Sequence, residues 1–409
     1  MPASQPQPIS EAARKRGLIA LMVTTFFTWG GFFFVVPLIG IHFVDGLGWA
    51  AAAVGMALAI RQFVQQGLTT LSGAVADQIG AKWLIAAGMV VRAAGFAGLA
   101  WADTYPVLVL TMTLAAVGGA MFDAPKSAAI AALTTEEERP RYFSITGLVI
   151  GLGITLGTQA GALLLRRSFD DVALASGVCY LLVAAAVVLF MPEVDVAQGE
   201  GGFWHGFGLA LHDRPFMSYI TLMAGQWFMN TQFFLTLPLT AVALSGRAET
   251  VAWVTGINSA VTLVLGYPAP RLASRRMGAR GALVAGVGVT ALGLLGVGLA
   301  RSTPMLLAAV VVFAAGTTLV RPMEQTVAAG LANRAALGSY FGIAALSVAV
   351  GGGLGNVVGG YLFDVGRQTG FPALPWLVCA GIGGLTAIGL RISLRPGDHQ
   401  TAKEAPVPG

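Results

Sequence analysis

Long apolar stretches dominate this chain, and they recur with mostly short gaps from one end to the other. Twelve lie at about 17–41, 49–72, 83–101, 106–131, 142–165, 172–191, 216–242, 250–270, 281–300, 304–331, 339–363 and 376–394. A helix needs about 20 apolar residues to cross a bilayer. Lipid offers the backbone no hydrogen bonds, so such stretches must satisfy their own as helices. Charged residues make up 11% of the 409 positions and hydrophobic residues 56%. Soluble proteins carry about 25% charged residues, so this chain cannot cover a water-facing surface. That excludes a soluble enzyme, and the apolar content excludes disorder. The expected fold is all-α membrane: twelve transmembrane helices in two pseudo-symmetric six-helix bundles.

The loops report orientation. Sixteen Lys and Arg residues fall on the side that holds Arg14, Lys15 and Arg16, and five on the other. Basic residues accumulate on the cytoplasmic side, so both termini are expected there. The first stretch holds Phe32, Phe33 and Phe34 and is too long and bulky for a cleaved signal. A polar interruption at 192–215, rich in Gly, Glu and Asp, falls near the midpoint. It reads as a cytoplasmic linker between an N-terminal bundle at 1–191 and a C-terminal bundle at 216–394, with a cytoplasmic tail at 395–409.

The halves repeat. Gly73–Lys82 aligns with Arg271–Arg280 at an offset of 198 residues. Tyr142-Phe143 recurs as Tyr340-Phe341, and Gly153, Gly157 and Gly161 recur as Gly351, Gly355 and Gly359, at the same offset. Each copy holds an even number of spans. The copies therefore share an orientation, related by an axis along the membrane normal as in parallel-repeat transporters.

Gly73, Asp77, Gly80 and Lys82 between the second and third stretches, with the glycine-rich fifth stretch, resemble the major facilitator superfamily over almost the whole length. The stretches Phe43–Ala50, Arg61–Gly67, Arg92–Phe96, Gly359–Asp364 and Leu374–Trp376 are similar to multidrug-resistance exporters of bacterial inner membranes. The resemblance implies proton-driven export of amphipathic drugs by alternating access. It also implies an inner-gate loop at Gly73, Asp77, Gly80 and Lys82.

Ionisable groups within spans are costly and point to function. Arg61 shares a helical stripe with Gln62, Gln65 and Gln66. It either ties a neighbouring group structurally or lines a central cavity. Arg92 sits in the third stretch as a buried structural partner or a direct participant in transport. Asp123 has Lys126 at i+3, and Arg321 has Glu324 at i+3. Each pair can serve as a gate held by a charge pair, or its acid can carry a proton. Asp45 and Asp364, at span ends, are expected to be solvated.

Phe26, Trp29 and Phe33 in the first stretch, and Trp227, Asn230 and Phe234 in the seventh, recur at helical spacing. Aromatic faces grip flat apolar drugs and attract cations. With Gln62, Gln65 and Gln226 they form the expected substrate surface, although membrane Phe residues more often pack or face lipid. Gly153, Gly157, Gly161, Gly351, Gly355 and Gly359 form small-residue stripes for close helix packing. Cys179 and Cys379 are the only cysteines, and His42, His205, His212 and His399 lack ligand spacing. Metal, cofactor and catalytic residues are therefore not expected, and no phosphate-binding loop suggests ATP. The partners expected are a small-molecule drug, protons and the bilayer, with no nucleic acid, for a monomer in the bacterial inner membrane. The alternative is a proton-coupled symporter of a small metabolite on the same fold.

Overall fold

The computed structural model describes residues 10–135, 138–193, 203–332 and 337–394. The side chains of Gly73 and Asp77 lie outside the described set, so half of the expected gate loop goes untested. The helices are α1 (Glu11–Gly40), which runs into a π-helical turn (Ile41–Gly46), α2 (Ala51–Ile79), α3 (Ala81–Gly98), α4 (Tyr105–Leu133), α5 (Arg139–Leu165), α6 (Phe169–Phe190) and α7 (Phe203–His212). They continue as α8 (Arg214–Thr231), α9 (Thr236–Ser245), α10 (Thr250–Leu265), α11 (Pro268–Leu299), α12 (Thr303–Leu331), α13 (Leu337–Thr369) and α14 (Leu374–Ser393). Among the described residues, 10 helices or continuous helical runs are long and apolar enough to cross a membrane. Two of the expected twelve fall outside that group: α2 carries the polar stripe at Arg61–Gln66, and α10 is only 16 residues long.

Helix starts follow local chemistry. The Ser168 hydroxyl accepts from the Asp171 N–H at 3.0 Å. The Asp213 carboxylate accepts from the Phe216 N–H at 3.1 Å, with Pro215 in the first turn. Both satisfy amides that a helix N-terminus leaves without internal partners. The seventh apolar stretch breaks between α8 and α9. There the Gln232 amide donates to the carbonyls of Phe228 and Gly355, both at 2.9 Å.

Two compact units emerge. One holds Met1–Glu200, Phe233–Ser259 and Asn356–Asp364. The other holds Gly201–Gln232, Ala260–Gly355 and Val365–Gly409. Within the first, α1 packs on α5 and α6, α3 on α4 and α6, and α2 on α4. Within the second, α11 packs on α12 and α14, and α8 on α14.

The backbone carries the sequence repeat further than the motifs do. Gly80 (φ 84°) and Gly278 (φ 71°) both take the left-handed region at the repeat offset. So do Gly48 (φ 73°) and Gly246 (φ 67°). Gly80 separates α2 from α3, and Gly278 likewise interrupts α11 at a kink where two helical segments meet. Side chains strain at such φ values, which is why glycine stands there. Several glycines of the two stripes lie in close helix contacts. Gly153, Gly157 and Gly161 lie against the carbonyls of Phe26, Gly30 and Phe34 on α1. Gly351 and Gly355 lie against the carbonyls of Ala224 and Phe228 on α8, each partner again shifted by the repeat offset.

Candidate functional site

In the second unit, α8 and α12 meet around one small cavity. Its walls are Gln226, Trp227, Asn230, Thr317, Val320, Arg321 and Glu324. The Trp227 indole N–H donates to Glu324 Oε1 at 2.9 Å. The Arg321 guanidinium stands 5.0 Å from the Trp227 ring centroid. Trp227 thus touches both charged groups, and no direct ion pair between Arg321 and Glu324 occurs among the described residues. Tyr219 steadies the wall by donating its hydroxyl to the Glu324 carbonyl at 2.8 Å. The arrangement offers one carboxylate, one cation, two amides and an indole to a small cavity. The free volume, about 10 Å³, is that of roughly one water, and the indole face is turned to Arg321.

The equivalent charged turn of α4 is built differently. Lys126 Nζ lies 2.8 Å from Asp123 Oδ1, and the lysine side chain is only 6% exposed against 40% for the acid. Lys126 also stands 4.8 Å from the Phe122 ring. The pair is a closed contact within one helix face.

Deeper in the first unit, Arg61 is 8% and Arg92 5% exposed. Arg61 donates to Gln65 at 2.8 Å and to Gln62 at 3.1 Å. Both guanidiniums crowd the Phe32 ring, at 5.0 and 5.5 Å. Phe33 and Phe234 approach at 5.7 Å, and Trp29 stacks on Phe33 at 6.4 Å. Phe26 packs beside Phe27 at 5.1 Å. Lys82, from the gate motif, lies over Trp83 at 5.6 Å.

The structure therefore gathers Gln226, Trp227, Asn230, Arg321 and Glu324 in one place. It groups Trp29, Phe33, Gln62, Gln65, Phe234, Arg61 and Arg92 in another, within the first unit. Asp123 and Lys126 pair with each other on α4. Thr317 and Val320 escaped notice in the sequence, although both lie one helical turn or less from Arg321 on α12. Phe96, which ends one of the stretches that carry the resemblance, stacks on Tyr180 at 5.3 Å beside Arg92, and Tyr180 itself gave no sequence signal. One expectation fails outright. Asp364 is not free in solvent: its two oxygens accept from the Ala51 and Ala52 N–H groups at 3.0 and 2.9 Å. A carboxylate is drawn there because the start of α2 leaves amides unpaired and carries partial positive charge.

Long apolar helices that hold a few charged and amide groups mark a polytopic membrane protein. The sequence profile of the Major Facilitator Superfamily matches residues 21–247 and, a second time, residues 240–408. The chain belongs to that superfamily. It is 37% identical over 378 residues to multidrug resistance protein MdtH of Yersinia enterocolitica, covering 92% of this chain and 94% of that one. The MdtH protein of Klebsiella pneumoniae is 36% identical over the same shares. Among solved structures, the fold is similar to the nucleoside transporter NupG (TM-score 0.78, 14% identity, 93% of this chain and 99% of that one). It is also similar to a bacterial homologue of the lysosomal transporter Spinster (TM-score 0.76, 15% identity, 98% and 100%).

Proposed function

We propose that this protein is a secondary active transporter that exports amphipathic drugs in exchange for protons by alternating access. Supporting this is the α8–α12 cavity, in which one acid, Glu324, is held by an indole beside amides and a cation. The chain is also more than a third identical to proteins named for multidrug resistance. In this reading twelve spans form two six-helix bundles, at 1–191 and 216–394, joined by a cytoplasmic linker at 192–215. Both termini and the tail at 395–409 face the cytoplasm of a bacterial inner membrane, and the working unit is a monomer.

Glu324 takes the proton. Ionised, it accepts from Trp227 and faces the field of Arg321. Protonated, it loses the charge that holds both groups, which shifts the balance between inward- and outward-open states. Asp123 and Lys126 act as a latch, together with the loop at Gly73, Asp77, Gly80 and Lys82. Phe26, Trp29, Phe33, Gln62, Gln65 and Phe234 of the first unit, and Gln226, Trp227 and Asn230 of the second, are the drug-binding residues of this reading. The proton gradient drives the cycle, the membrane potential contributing about 2.3 kcal/mol per charge per 100 mV.

The test is drug-driven proton release from vesicles carrying Glu324→Gln, Asp123→Asn or both. Loss of proton release in Glu324→Gln, with drug binding retained, supports the assignment. Full proton release in the double variant ends it.

A further inference from the structure

Arg61 and Arg92 pose a problem that the proposed proton cycle does not solve. Two cations lie in one apolar cluster, buried on every side, with no carboxylate against either among the described residues. A buried charge without an opposite charge costs several kcal/mol. Arg61 finds only the neutral amides of Gln62 and Gln65. Arg92 finds the faces of Phe32, Phe96 and Tyr180, at 5.5, 5.7 and 5.1 Å. The Nε–H groups of both arginines and the indole N–H of Trp29, whose ring is 6.2 Å from Phe32, are buried without an acceptor among the described residues. All three are donors.

The repeat shows that the fold does not require these cations. At the offset of 198, Arg61 corresponds to Ser259 and Arg92 to Thr290. Thr290 is fully buried and satisfies itself on the Gly286 carbonyl at 2.9 Å. The backbone around it is the same in both copies: Gly95 lies against Ala115 and Gly293 against Phe313, the equivalent residue. One copy of the architecture thus closes with small neutral hydroxyls where the other holds two guanidiniums. Packing alone does not explain the arginines.

We infer that Arg61 and Arg92 form a subsite for the acidic group of an amphipathic cargo, a carboxylate or sulfonate attached to an aromatic body. This rests on the proposed transport of amphipathic drugs and deepens it. Guanidinium forks match the two oxygens of a carboxylate, and the rings of Phe32, Phe96 and Tyr180 wall the site with apolar surface. Depth argues against a lipid headgroup: Arg61 lies ten residues into α2, roughly 15 Å along it at 1.5 Å per residue.

Binding to the purified full-length protein decides the matter without a proton gradient, so the outcome is independent of the coupling mechanism. The probes are 2-naphthoate, its uncharged analogue 2-naphthamide and inorganic phosphate, measured by titration calorimetry. The expected result is naphthoate bound at least about tenfold more tightly than naphthamide, as a hydrogen bond to a charged group implies. Arg61→Gln and Arg92→Gln each collapse that ratio towards one, and Arg61→Lys keeps part of it. A ratio of one in the unmutated protein overturns the inference, whatever the variants do. So does a ratio untouched in both glutamine variants. Phosphate bound as tightly as naphthoate also overturns it, because the occupant is then a free anion and not cargo. If naphthoate is preferred yet no drug leaves vesicles, the transport reading fails and the anion subsite stands.

Discussion

The charged turns of α4 and α12 occupy the same place in the two repeats with their signs exchanged. Asp123 corresponds to Arg321 and Lys126 to Glu324, each at the offset of 198. In α4 the acid and base close on each other at 2.8 Å and the lysine is buried. In α12 they stay apart, each engaging Trp227. Trp29 is the counterpart of Trp227 and Lys126 that of the acceptor Glu324, and the Trp29 indole N–H has no partner among the described residues. Duplication preserved the scaffold and let the chemistry diverge. One turn closes on itself, whereas the other presents its acid and its cation separately to a cavity.

The sharpest way to break this comparison is to neutralise each acid in turn. Glu324→Gln is expected to cut drug-driven proton release by tenfold or more, since no other acid lines that cavity. On the proposed reading Asp123→Asn costs less than tenfold, because it loosens a latch and leaves the proton site intact. Proton flux and drug efflux measured together in vesicles check both. Equal losses would erase the distinction between the two turns.

The glycine stripes test what the repeats still share. A Cβ on Gly157 would meet the Gly30 carbonyl, and one on Gly355 the Phe228 carbonyl. Backbone cannot yield as a flexible side chain can, so each Gly→Ala change is expected to cost roughly 1–3 kcal/mol of overpacking. Gly151, on α5 but facing open space, should accept alanine at little cost. Thermal unfolding in detergent ranks the three. A Gly355→Ala protein as stable as the unaltered chain would show that the second stripe does not pack as the first does.

These contrasts mark what the sequence made legible. The spans, the duplication and the glycine stripes were visible because lipid imposes length and close packing imposes periodicity. Arg321, Glu324, Trp227, Gln226 and Asn230 could be named because polar groups are rare in such a chain. Their convergence on one cavity was not legible, since it depends on how α8 turns against α12. The break at Gln232 was hidden because α8 and α9 are both apolar and read as one run. Asp364 misled for a similar reason: a carboxylate at a span end reads as solvated until the start of another helix is placed beside it.

That cap offers a smaller test. By the repeat, Asp364 and Ala51 correspond to Arg166 and Glu249. The first couple is a carboxylate on two helix amides. The second is an ion pair at 3.5 Å between side chains 63% and 46% exposed. Asp364→Ala should cost about 1 kcal/mol as a lost cap. Glu249→Ala should fall within the 0–1 kcal/mol typical of exposed pairs. Comparing the two melting temperatures at low and high salt separates them further, since only the Glu249 effect should fade with screening.

The smallest effect lies where the repeat leaves one side unmatched. Arg14 donates to Glu138 at 2.7 Å, and the Thr135 N–H donates to the same carboxylate at 3.2 Å. The counterparts of these two residues are His212 and Ala336, which cannot form such a pair. The Arg14 guanidinium holds the Glu138 carboxyl below the usual carboxylate range, with the Thr135 amide assisting. A lowered folded pKa means that the tie contributes fully above the ordinary glutamate range. Its contribution is lost as pH falls through the depressed value. Glu138→Gln should therefore lower the melting temperature slightly at pH 7 and leave it unchanged at a pH acidic enough to protonate Glu138 in the unaltered protein. A difference that persists undiminished into acid would mean that the glutamate acts through packing and not through its charge.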